Sequence, residues 1–105
     1  MLIVDLPKPI EFQWDEGNKN KIWSKHQISK EECEEAFATE AIFSQIDELH
    51  SQKEERYILI SATKKGRMLF IIFTIRSIKV RVISARDMHK KEKNFYEKEA
   101  RFTKI

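Results

Sequence analysis

Two arginines stand on and beside a β-branched run in the segment Lys79-Val80-Arg81-Val82-Ile83-Ser84-Ala85-Arg86-Asp87-Met88. A guanidinium is planar and always charged, and its fork fits two phosphate oxygens at once. Held between Val80 and Val82, the stem of Arg81 is fixed by its neighbours, so aiming the fork costs little rotamer freedom. The ordinary alternative is an arginine on a wet strand face, paired with a nearby carboxylate and contributing about 1 kcal/mol or less. Several cations converging on one face would favour an anion instead. The further candidates are Lys25 and His26, the neighbours Glu55 and Arg56, then Arg67, Arg76 and Tyr96. Together these groups suffice to cleave RNA without a metal. A 2′-hydroxyl must lose a proton, a phosphorane must have its charge neutralised, and the leaving 5′-oxygen must gain a proton. Lys25, His26 and Glu55 are the candidates for proton transfer, Arg67 and Arg81 for phosphate charge, and Arg76, Arg86 and Tyr96 for holding RNA. Taken singly each is weak: Lys25 and His26 also suit a helix carboxyl end, by about 0.3–1 kcal/mol, and Glu55 with Arg56 also suits a surface pair.

Other chemistries find little support. With only Gly17 and Gly66 there is no phosphate-cradling glycine loop. His26, His50 and His89 lack metal-ligand spacing, so neither a metal nor another cofactor is expected. Cys33 is the sole cysteine, which excludes a disulfide framework and fits a small packing residue in a reducing cytoplasm. No apolar run approaches the ~20 residues of a membrane span.

At 105 residues, 41% hydrophobic and 35% charged, the chain reads as a single domain over residues 1–105, with an extended arm at 1–9. Its net charge of +3 hides a polarity. Between Glu31 and Glu55 nine acidic residues face Lys53 alone, whereas from Lys64 onward thirteen basic residues face four acidic. Such a basic half suits a polyanion.

The elements that must position these groups are legible from pattern. Residues 10–14 alternate as a short strand. Asp15 can cap a helix over residues 16–26, and Ser29 with Glu32 forms a capping box for a second over 30–37. Four strands follow, at 41–48, 54–62, 67–74 and 78–84, with polar 49–53, Thr63-Lys64-Lys65-Gly66 and Arg76-Ser77 as connections. The third is apolar on both faces and should be central. Asp87 is placed to cap a last helix over 88–101, packed through Met88, Phe95 and Phe102 with Glu92 and Glu99 in the same stripe. A glutamate on a packed face needs a cation, and Arg86 is the expected partner of Glu92. The expectation is an α+β domain with an antiparallel meander. Strict alternation sets Arg81 and Arg86 on opposite faces of the last strand, so a common site requires that strand to end near Ser84.

Read in order, Phe12-x-Trp14-Asp15-Glu16-Gly17-Asn18, Lys21, Lys25-His26-x-Ile28-Ser29, Glu35-x-Phe37, His50-Ser51, Glu54-x-Arg56-Tyr57, Gly66-Arg67, Phe73-Thr74-x-Arg76 and the segment from Arg81 to Met88, with Glu92 and Tyr96, resemble the BrnT toxins. The match runs from about residue 12 to 97. Departures are Lys30 where an aromatic is common, Cys33 for a small apolar residue, and Ser61 for a frequent glycine. The resemblance implies a RelE-like ribonuclease domain acting without a metal. It further implies a BrnA-like antitoxin carrying a ribbon-helix-helix domain, joined in a 2:2 heterotetramer, with operator DNA bound only through that antitoxin. The competing readings are a non-catalytic protein- or RNA-binding module. Among these, Phe70 and Phe73 are the stacking candidates if exposed.

Overall fold

A computed structural model describes residues 9–38, 43–46 and 54–103. The arm at 1–8, the segment 47–53 with His50 and Ser51, and the ends of the first meander strand lie outside the described residues.

The chain runs α1 (Glu16–His26), α2 (Lys30–Ala38), β1 (Phe43–Ile46), β2 (Tyr57–Ala62), β3 (Met68–Arg76), β4 (Lys79–Asp87) and α3 (Lys90–Thr103). Its sheet is antiparallel in the order β1-β2-β3-β4. Three long strands, β2 to β4, make its body, and β3 is interior as its two apolar faces require. Of the expected first meander strand over 41–48, the described residues are the four of β1. The expected N-terminal strand does not form. Residues 10–14 instead run beside the β4 edge with a single parallel bridge, Phe12 to Val80, closed by Val80 N–H donating to the Glu11 carbonyl and Gln13 N–H to the Val80 carbonyl.

Both helix starts follow their side chains. Asp15 accepts from Asn18 N–H while the Asn18 side chain accepts from Asp15 N–H. Ser29 and Glu32 form the same reciprocal box on α2. Asn18 also donates to the carbonyls of Gln13 and Val82, so one buried amide ties α1 to β4.

One sheet face packs on α1 and α2 through Ile22, Ile28, Ala36 and Phe37 against Leu59, Leu69, Ile71, Phe73, Val80 and Val82. Phe37 makes edge-to-face contacts with both Phe12 and Phe73. Cys33 is fully buried there, and desolvation pushes its thiol up to about 12. Ser61 donates to the Ala36 carbonyl at 2.8 Å, a tether from β2 to α2 that glycine could not make.

The other face is covered at one end by α3. That helix starts later than expected: Asp87 is the last residue of β4, and Glu92 takes over the start by accepting from His89 N–H. Phe95, expected on the packed stripe of α3, is half exposed. Tyr96 is the buried residue, clustered with Met88 against Ile60, Ala62, Met68 and Phe70. The expected pair is present, with Arg86 donating two hydrogen bonds of 2.8 Å to Glu92.

The largest departure from pattern lies inside β4. Ile72 pairs with Ser84 but Phe73 pairs with Val82, which leaves Ile83 as an extra residue, a bulge. An added residue inverts the alternation. Thr74 opposes Arg81 and Phe70 opposes Arg86. Positions 70, 72 and 74 alternate onto one face, so Arg81 and Arg86 share it with the strand running unbroken to Asp87.

Candidate functional site

The bulge sorts the arginines. Arg81 and Arg86 share the face of Thr74 and Arg76, whereas Arg67 continues the series of Leu69, Ile71 and Phe73 on the helix-packed face. Along β3, Arg67 stands about seven residues from Thr74, the partner of Arg81, or roughly 20 Å. The expected pairing of Arg67 and Arg81 on one phosphate is therefore not what the fold assembles.

Arg67 uses every donor it has. Its Nε and Nη2 bind Asp87, its Nη1 binds Glu32 and the Gln27 carbonyl, and its Nη2 also reaches the His26 carbonyl, all between 2.8 and 3.3 Å. Gln27 closes α1 in a left-handed conformation, so Arg67 satisfies carbonyls at that helix end while pinning the first turn of α2 to the end of β4. The carboxylates respond. The bond from Arg67 holds Asp87 below its usual range, with Lys93 and His26 adding weaker pulls. Burial alone would raise Glu32, yet hydrogen bonds from Ser29 and Arg67 outweigh it and leave Glu32 lowered. Lys25 and His26 sit exposed at this end.

A second cluster forms at the opposite end of α1, about 16 Å away for an eleven-residue helix. Gly17, Asn18 and Lys21 of α1 face Arg76, Arg81, Val82 and Ile83 across an open groove of about 250 Å³. Arg81 forms an ion pair through Nη1 with Asp15 at 2.9 Å and donates to Gln13 at 3.4 Å. Among the described residues its Nε and Nη2 carry no hydrogen bond, unlike those of Arg67. Arg76 binds Glu54 through Nε and Nη2 at 3.1 and 2.7 Å. These bonds lower both acids: Asp15 mainly through Arg81, and Glu54 mainly through Arg76 with smaller pulls from Arg56 and Arg81. Lys21, Arg76 and Arg81 thus line one groove, the two arginines each hold a carboxylate, and Arg56 adds its pull on Glu54. Glu54, not Glu55, is the acid among them. The Glu55 carboxylate accepts from the Tyr57 hydroxyl at 2.8 Å, a bond that raises the Tyr57 phenol, and the Glu55 carbonyl accepts from Thr74.

The third group, Arg86 and Tyr96, lies with α3. Arg86 covers the Phe70 ring at 3.9 Å as well as holding Glu92. Tyr96, expected to touch RNA, is buried instead beside Ser61 and Ala62, and burial raises its phenol. Phe73 is fully buried, so neither stacking candidate offers an open ring.

A family model described as the ribonuclease toxin BrnT of type II toxin-antitoxin systems matches residues 14–92. The chain belongs to this family. The match takes in the arginines of all three groups of the BrnT domain, from Asp15, the partner of Arg81, to Glu92 on α3. No curated protein matches the chain. As a type II toxin it has an antitoxin protein as partner and RNA as substrate. Among the described residues no helix is long and apolar enough to cross a membrane.

Reading by residue type did not single out Lys21 as a groove residue, nor Asp15 and Glu54 as the partners of the groove arginines. Asp15 and Lys21 stand in the BrnT-like motif, and Glu54 adjoins the residue chosen. What no local signal carries is which of two adjacent glutamates an arginine 22 positions away will meet.

Proposed function

We propose that this BrnT domain is a metal-independent endoribonuclease whose scissile phosphate lies in the groove between α1 and β4. The convergence of Arg76 and Arg81 with Lys21 on one groove is the observation that supports it. In this reading the phosphate replaces Asp15 and Gln13 on Arg81, whose fork and that of Arg76 neutralise the charge that grows on the phosphorane. The displaced Asp15 carboxylate and the Glu54 carboxylate remain beside the site. Glu54 takes the proton from the 2′-hydroxyl as that oxygen attacks phosphorus, and Lys21 supplies a proton to the departing 5′-oxygen. Glu55 supports this end through Tyr57 and Thr74. Lys25 and His26, a helix length away, meet the phosphates of flanking nucleotides, and Arg86 lies on the same sheet face for a further contact. Arg67 serves as a positioning residue for the loop between α1 and α2.

The same reading makes the protein a cytoplasmic inhibitor of translation. Its partner is a BrnA-like ribbon-helix-helix antitoxin in a 2:2 complex, through which alone operator DNA is bound. The neighbouring reading frame tests the pairing: one that encodes such a ribbon-helix-helix protein would support it.

The test is to incubate the purified protein with RNA in EDTA. Wild type is expected to cut and Arg81→Ala to leave the RNA intact. Uncut RNA with wild type, or full cutting by Arg81→Ala, overturns the assignment and favours a non-catalytic binding module.

A further inference from the structure

The hairpin from β3 to β4 turns through Ser77 and Ile78, both left-handed with φ of 48° and 63°, inside the closing pair Arg76 and Lys79. Two-residue hairpins need this geometry and ordinarily recruit asparagine and glycine for it. Isoleucine fits it badly, because its branched Cβ crowds the neighbouring backbone when φ is positive. Burial could compensate, but Ile78 is 73% exposed, above Trp23 and Phe95. Packing within the domain therefore does not explain an isoleucine here. Strained backbone positions cluster at active sites, ligand clamps and switch regions.

The surroundings indicate the ligand. Arg76, two residues before Ile78, lines the groove with Arg81 and Lys21, and Lys79 follows it directly. We propose that Ile78 is a substrate-contacting residue, an apolar wedge against an unpaired RNA base whose flanking phosphates are held by Arg76, Lys79 and Arg81. This rests on the groove being the RNA site. Bases of single-stranded RNA stand splayed, with apolar faces that accept side-chain contact, and aliphatic wedges serve in the same way between base steps. A two-residue turn holds the side chain in one direction, so little order is lost on contact. Cations on both sides favour a polyanion over an apolar protein pocket.

The test uses Ile78→Gly and Ile78→Asn, both of which suit the turn, beside Ile78→Leu, which keeps the apolar bulk. Binding is read on a short 2′-O-methyl single-stranded RNA and on its duplex, and cutting on the unmodified single strand. The Gly and Asn variants are expected to melt above wild type, yet to bind and cut the single strand about tenfold less well. Duplex binding stays unchanged, and Ile78→Leu behaves as wild type. Arg81→Ala is run alongside. If the Gly and Asn variants match wild type on single strands while Arg81→Ala is inactive, the wedge is overturned and the groove stands, leaving the tip to a protein partner. If Arg81→Ala is also fully active, the groove reading falls with it.

Discussion

Removing Arg67 separates a structural clamp from a phosphate ligand. In Arg67→Ala two ion pairs and two bonds to helix-end carbonyls are lost together. A charge-assisted bond shielded from water contributes about 1.5–3 kcal/mol. Solvent screening applies here, since the Arg67 side chain is 30% exposed and that of Asp87 56%. The pairs then contribute about 1 kcal/mol or less each, and the carbonyl bonds about 0.5–1 kcal/mol each, so the loss is about 1–4 kcal/mol. For a domain of this size that lowers the melting midpoint by roughly 5–20 °C. Circular dichroism melts measure it, and RNA cleavage at low temperature reads the function separately. Arg67→Ala should melt early but cut RNA when folded. A variant that melts within about 2 °C of wild type and has lost all cutting refutes the clamp and returns Arg67 to the phosphate. Acid adds a second check. Asp87 and Glu32 ionise below their ordinary values of 3.8 and 4.5 in the folded chain. The unfolded chain therefore takes up protons first, and their contribution, full above about pH 4.5, is lost as pH falls through the lowered values. Arg67→Ala should show a smaller acid loss.

Arg76→Ala and Arg81→Ala should leave the melting midpoint within a few degrees of wild type while weakening RNA binding, and each should reduce the slope of log affinity against log salt by about 0.7; an unchanged slope places the phosphates elsewhere. The whole fold should lose stability on acidification below about pH 4.5, because Asp15, Glu54 and Glu92 are lowered by arginine partners just as Asp87 is; denaturant midpoints that do not move between pH 6 and 3 contradict this. Cys33, buried with its thiol raised to about 12, should resist a thiol reagent at pH 8 in the folded protein and react promptly in denaturant; fast labelling of native protein refutes its burial.

Much was readable from residues alone, and for local reasons. Asp15 and Ser29 mark helix starts through hydrogen bonds spanning three residues, and the apolar run of β3 marks an interior strand whatever its neighbours. The pairing of Arg86 with Glu92 crosses only six positions. The family motif is similarly a property of the string. The start of α3 was misread because Asp87, a good cap by type, is drawn into Arg67, and Tyr96 displaced Phe95 because the helix phase is set by the sheet it lies on.

What only tertiary structure decided is which cations share a site. A lone extra residue at Ile83 inverts the strand's alternation, and no local pattern marks a bulge, since Ile83 is as good a strand residue as Val82. That inversion brings Arg81 onto the face of Arg76 and Arg86, and leaves Arg67 on the opposite face with all its donors engaged. Side-chain type determined that arginines would find oxyanions. Whether each oxyanion is a carboxylate of the chain or a phosphate of RNA depends on register and face, which are set when distant strands pair.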